Sequence, residues 1–375
     1  MWTRFIKKYF AAIHCEAVPF LKRLGSFFAF ILFFVGAMEV LLRFFPAPKL
    51  AENIVVSSVL GVAGAALQNG YNRLGFLDQD FDPLREAENG HFRVVFLGDE
   101  VTQAPSVSSE QRFTKILPHL LVKGARSYVF SGPEYGMLQE VLAYRKYGGE
   151  LRPNLVIHEF FGFNDFVNDN VHFANQTSAQ TDSFRPYFLA GSSSYRFTYF
   201  SPKMAWLREH SVLVRDLAIL FHRFSPKIRS DVSDWGCDSA QEMFLSIRDP
   251  LWEDGILATK KIVHYYKSIA AANPGTVFVS VYFPSAQEIV DKVWRDQIEN
   301  PLHKCYPGEV LDRRAGERLF FKVFKESGFP SVSLWGDFIS YPNRAELYNE
   351  NGELSVMGHK LAAKALAQAL KRFVR

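Results

Sequence analysis

Cysteine is scarce. Cys15, Cys237 and Cys305 are the only three in 375 residues, too few for a disulfide framework, so the fold has to rest on a hydrophobic core. A strong charge of one sign is also missing. Lys and Arg total 43 against 39 Asp and Glu, a formal net charge of +4, and no basic stripe extends beyond the first 23 residues. This argues against a nucleic-acid surface. No fixed-period repeat and no low-complexity block interrupts the chain. His158-Glu159-Phe160-Phe161-Gly162 lacks the second histidine of a zinc-protease motif, so no metal follows from it. Gly61-Val62-Ala63-Gly64 has no strand before it and is not a nucleotide loop. Asn175-Gln176-Thr177 is a glycosylation sequon by letter only. What is abundant is apolar: hydrophobic residues make up 48%, and phenylalanine alone occurs 36 times.

Much of that phenylalanine lies near the N-terminus. Arg4, Lys7, Lys8, Lys22 and Arg23 precede an apolar run from Leu24 to Leu42. About 19 residues at about 1.5 Å each span roughly 28 Å, the hydrocarbon thickness of a bilayer. The basic flank predicts residues 1–23 in the cytoplasm, residues 24–45 as a single-pass inner (plasma) membrane anchor, and the main domain extracytoplasmic or periplasmic. Glu39 is costly at depth but sits near the outer end, where Arg43 is placed to pair with it. A cleaved signal peptide is the alternative, since Val35-Gly36-Ala37 has cleavage-site spacing. Against it, the basic segment is long, and apolar sequence resumes at Met38. In an oxidising compartment Cys237 and Cys305 are the candidate disulfide, leaving Cys15 as a free thiol.

Residues 46–90 read as an extracytoplasmic lead-in. From residue 91 short apolar β-rich runs alternate with helical stretches. The runs are Arg93–Leu97, Ser127–Phe130, Asn154–Phe160, Thr276–Tyr282 and Ser331–Trp335. The helices are predicted to about Lys123 and over Met137–Tyr147, Thr259–Ala272, Gly316–Ser327 and Ser355–Val374. Near-continuous apolar strands separated by helices predict a doubly wound α/β domain on a parallel five-stranded sheet covered on both faces. Ligands in such sheets bind beyond the strand carboxyl ends, so function belongs to the loops starting at Gly98, Ser131, Phe161, Phe283 and Gly336. About 166–254 is longer than a crossover needs and reads as an inserted helical subregion, with an amphipathic piece at Met204–Phe224.

Several blocks in order carry a family likeness. They are Asn69–Asp78, Val94-Val-Phe-Leu-Gly98-Asp99-Glu100-Val-Thr102, Phe130-Ser131-Gly132-Pro133-Glu134-Tyr135-Gly136, and Leu151–Ile157 followed by Gly162-Phe163-Asn164-Asp165. The last is Asn349-Glu350-Asn351-Gly352-Glu353-Leu354-Ser355-Val-Met-Gly358-His359. With these blocks the chain resembles the SGNH (GDSL-type) hydrolase superfamily, in its membrane-anchored bacterial envelope branch. The resemblance implies an esterase mechanism with a Ser nucleophile, a His base oriented by an Asp, and an oxyanion hole of backbone N–H groups and an Asn amide.

Carried over position by position, the resemblance puts Glu100 at the nucleophile and Glu353 at the base. Glu350 or Asn351 falls at the acid. Glu134 or Gly132 falls at the oxyanion glycine, and Asn164 keeps its place. Asp99, Gly162 and Asp165 complete the candidate ligand-binding set. A carboxylate cannot replace the serine, because attack would give a mixed anhydride, and without the histidine no base of near-neutral pKa stands at the expected place. His359, on the closing helix, and His158, within the sheet, read as structural.

Three expectations stay open. The first is a non-catalytic binding or accessory protein in envelope glycan acylation, with an acyl-bearing glycan or a membrane acyltransferase as partner. The second is a carboxylate site with no cofactor or with a divalent cation. The third is an active esterase, deacetylase or acyltransferase using displaced residues.

Overall fold

The computed structural model describes residues 70–133, 135–162, 164–170, 241–246, 248 and 250–374. Short pieces are added at 26–27, 30, 33–40, 56–57, 61–62, 186–188, 195–197, 211 and 213. The chain divides into two compact units, Met1–Glu52 with Trp206–Ser225, and Asn53–Ala205 with Pro226–Arg375.

In the first unit residues 33–40 are helical, and Phe27, Phe30, Phe33 and Phe34 are exposed. Among the described residues no helix is long and apolar enough to cross a membrane. Half of the expected 24–45 span, the 1–23 segment, Arg43 and Cys15 lie outside them. Glu39 Oε2 accepts the Ser211 hydroxyl at 2.8 Å and the Leu213 N–H at 2.9 Å. Most of the expected amphipathic piece at Met204–Phe224 also lies outside the described residues.

In the second unit five parallel strands form the sheet: β1 (Arg93–Gly98), β2 (Arg126–Ser131), β3 (Leu155–Phe161), β4 (Val277–Phe283) and β5 (Ser331–Ser333). Their order is β2-β1-β3-β4-β5. This is the doubly wound order in which the chain reverses between β1 and β3 and opens a crevice at their carboxyl ends. Side chains alternate across the sheet. Val95, Leu97, Val156, Phe160, Phe278 and Tyr282 enter one core cluster, and Val94, Phe96, Leu155, Ile157, Val279 and Val281 enter the other. Near-continuous apolar strands follow from this two-sided burial.

The first face is covered by α2 (Met137–Ala143), α3 (Pro250–Ala271) and α4 (Ala315–Glu326). The second is covered by α1 (Phe113–Leu121) and α5 (Val356–Leu370). Ser355 caps α5 by accepting the Gly358 N–H.

Two elements differ from the sequence expectation. The helical stretch to Lys123 is broken into a short turn at Glu100–Gln103 and α1. The turn stops before Pro105, which disfavours the helical region for the residue ahead of it, and Ala104 there takes a left-handed φ of 48°. The last strand stops at Ser333, since Trp335–Ile339 is already helical.

The lead-in closes the outer edge of the sheet. Asn72 Oδ1 accepts the N–H groups of Leu74 and Phe76, and the Phe76 ring meets Phe130 edge-on at 5.1 Å. Asp78 Oδ2 accepts the N–H of Val129 on β2 at 2.9 Å, and its Oδ1 lies 2.6 Å from Lys115 Nζ. An edge-strand donor that would otherwise face outward is therefore bound. Within the 166–254 region the described elements include the turn Asp165–Asn168, a small antiparallel ladder of Pro186–Phe188 with Tyr195–Phe197, the turn Gln241–Phe244 and the start of α3. Cys305 is disulfide-bonded; its partner lies outside the described residues, as does Cys237.

Candidate functional site at the strand carboxyl ends

The turn after β1 is built around carboxyl groups. Asp99 is buried and caps the Glu100–Gln103 turn, its Oδ1 accepting the Val101 N–H at 2.9 Å. Its Oδ2 accepts the Asn164 amide N–H at 3.0 Å. Its own N–H donates to Glu159 Oε2 at 3.1 Å, which also receives the Thr102 hydroxyl. Gly98 makes this possible. A Cβ there would stand 2.3 Å from Thr102 Oγ1 and 2.4 Å from Glu159 Oε2, so only a residue without a side chain lets the strand end approach the carboxyl.

Asp165 is equally enclosed, its Oδ2 accepting the Phe161 N–H at 2.6 Å. Asp169 Oδ1 accepts the Leu138 N–H, and Glu140 on α2 is fully buried. Charge cannot be maintained on so many neighbouring acids away from water. Burial first, and the facing Glu159 second, push Asp99 well above the usual carboxylate range. Burial pushes Glu159 up to about 7. Glu140 and Asp165 are raised by burial and then by neighbouring carboxylates. The protonated forms of these acids are favoured over the charged ones by their enclosure.

Glu100, at the nucleophile position, is half-buried, and its charge is felt by Glu159. Asn164 is brought to Asp99 as described; its Oδ1 is buried without a hydrogen-bond partner. Gly162 lies against Tyr282, whose hydroxyl would stand 2.3 Å from a Cβ at that position. Gly132 lies against the Tyr135 ring. Glu134 and Phe163 lie outside the described residues.

The base and acid positions fold on themselves. Asn349 Oδ1 accepts the N–H groups of Asn351 and Glu353, at 2.9 and 3.0 Å, and its amide donates to Glu353 Oε2 at 2.9 Å. Gly352 takes φ 82° in this turn. Glu350 and Asn351 are exposed.

A serine and an imidazole do meet elsewhere. Ser280 Oγ and His158 Nδ1 are 3.0 Å apart, and His158 Nε2 is 3.0 Å from Glu140 Oε2. All three residues have no solvent exposure. Burial pushes His158 down to about 3 and Glu140 up, and the contact lies in the interior between β3, β4 and α2, away from solvent. His359 is likewise internal, stacked on Phe113 and pushed down to about 4 by burial. Among the described residues no group of three or more His, Cys, Asp or Glu is disposed to hold a metal ion.

The structure therefore brings Asp99, Asn164 and Asp165 into one buried network with Glu140, Glu159 and Asp169, which sequence reasoning did not assign. A signal was present. Glu159 interrupts the apolar run Leu155–Phe161, and Glu140 stands within an apolar helix; an acid inside a buried element needs a partner.

No protein-family model matches the chain, and no curated protein matches its sequence. Solved structures are similar to it. A lipase/acylhydrolase from Enterococcus faecalis is 8% identical with a TM-score of 0.39, over 75% of this chain and 96% of that one. A GDSL-like lipase from Bacteroides thetaiotaomicron is 13% identical with a TM-score of 0.36, over 75% and 89%. An acetyl xylan esterase is 11% identical with a TM-score of 0.40, over 74% and 99%. The class that the strand order and the carboxyl-end site define is a three-layer, doubly wound α/β domain with a buried acid network at its switch point.

Proposed function

We propose that this chain is an SGNH-type domain that retains the scaffold and binds, without cleaving, an acyl-bearing ligand at the β1–β3 carboxyl ends. In this reading it is an accessory in envelope glycan acylation, held at the inner membrane by its N-terminal segment, with its main domain outside the cytoplasm and a membrane acyltransferase as partner. One observation carries it. The corner that positions the attacking hydroxyl in the resembling family here presents Glu100, one residue after the buried cap Asp99. The base position presents Glu353, tied to Asn349. A carboxylate pair offers neither the alkoxide nor the near-neutral base that acyl transfer requires. The disulfide at Cys305 supports an oxidising compartment.

The test is hydrolysis of p-nitrophenyl acetate by the full-length chain beside its Asn164→Ala and Glu100→Ser variants. The expected result is a wild-type rate equal to buffer. Wild-type turnover that disappears in Asn164→Ala overturns the reading and restores an active esterase. Protease accessibility from outside intact cells checks the orientation: the body is expected to be cut and residues 1–23 protected.

A further inference from the structure

A second polar site shares no lining residue with the acid network. Between α4 and the segment after Gln241–Phe244 there is a cavity of about 320 Å³, with Arg248, Arg318, Lys322 and Asp312 among its lining residues. Its walls are fixed by the backbone. Leu245 bridges Leu311 in antiparallel register, the Asp312 N–H donates to Phe244 O at 2.8 Å, and the Ser246 hydroxyl donates to Val310 O at 3.1 Å. Arg248 Nε donates to Met243 O at 3.1 Å, which anchors that guanidinium at one end. Arg318 pairs with Asp312, and Lys322 follows one helical turn later on the same face of α4.

Three cations therefore share one small cavity with a single lining carboxylate. Like charges so placed repel, and both burial and the nearby Arg318 push Arg248 down, against the opposing influence of Glu253. An anion bridging the cations would replace repulsion with charge-assisted hydrogen bonds, and guanidinium groups match planar and tetrahedral oxyanions in particular.

The cavity is also placed near the candidate cleft. Gly316, in the first turn of α4, packs against the same Tyr282 hydroxyl that Gly162 packs against, and Met243 touches Gly316. Tyr282 in turn donates to the buried Glu288 at 2.7 Å.

We infer that this cavity is a binding site for an oxyanion, a phosphate or carboxylate group carried by a ligand, in which Arg248 and Arg318 form the clamp and Lys322 adds charge. Asp312 occupies Arg318 when the site is empty and is its internal competitor. The inference stands whether or not the β1–β3 cleft binds an acyl group.

The experiment is calorimetric titration of the full-length chain with inorganic phosphate and, separately, with glucuronate, at constant ionic strength set with chloride. Saturable binding is expected for at least one of them. Phosphate alone points to a phosphoryl group and glucuronate alone to a sugar acid. Arg248→Gln and Arg318→Gln should each weaken binding about tenfold, the loss of one charge-assisted contact. Asn164→Ala should leave it unchanged. Asp312→Asn should tighten it, which a merely folding-defective variant would not do. No binding above the chloride control, or binding that survives both arginine substitutions, overturns the inference.

Discussion

The β1–β3 strand ends and the turn at 349–353 are built differently. On the β1–β3 side, Asp99, Glu159 and Asp165 are buried: Asp99 accepts the Asn164 amide, Glu159 accepts the Asp99 N–H, and Asp165 accepts the Phe161 N–H. On the closing side, Asn349 organises Asn351 and Glu353 within one turn, and Glu350 and Asn351 face solvent. The first belongs to the core; the second is a surface turn. A turn held only locally can change its exposed residues at little energetic cost. A cluster built into the core cannot.

Substitutions break this contrast unequally. Gly98→Ala should be the most damaging, by about 3 kcal/mol, because the added carbon collides with Glu159 and Thr102. Chemical denaturation measures it. Glu159→Ala should cost about 2 kcal/mol by stranding the Asp99 N–H and the Thr102 hydroxyl.

The pH dependence sharpens the same contrast. Glu159 and Glu288, pushed by burial from 4.5 to about 7, hold protons more tightly folded than unfolded. Their contribution is full below about pH 4.5 and is lost as pH rises through 7. His158 and His359, lowered from 6.5 to about 3 and about 4, act oppositely: their contribution is present above 6.5 and is lost as pH falls. Melting temperature should therefore decline on both sides of a mildly acidic maximum, and Glu159→Gln should flatten the alkaline decline. Asn349→Ala should cost about 1 kcal/mol, one turn's hydrogen bonds. Glu350→Ala and Asn351→Ala should fall within about 0.5 kcal/mol of wild type, read by the same denaturation.

The sheet was legible because a strand buried on both faces has no choice but to be apolar, as Val94–Leu97 and Val277–Phe283 are. The break at Ala104 was also written in the chain, in the proline that follows, but helix-like periodicity on either side concealed it. The acid network was not legible in detail. Glu140, Glu159 and Asp169 come from three separate segments, and only the folded chain brings them to one place. The sequence expectation placed Glu100 and Glu353 by their order along the chain. What was not readable is that the closing turn satisfies itself through Asn349.

The stitch between Asp78 and Val129 has a practical outcome for anyone preparing a soluble fragment. Cutting the chain just ahead of residue 91, where the regular pattern begins, would strip the outermost ribbon of its cover and leave an unpaired amide and the Phe130 ring bare, inviting ribbon-to-ribbon stacking between copies. A fragment starting ahead of Asn72 keeps that seam closed.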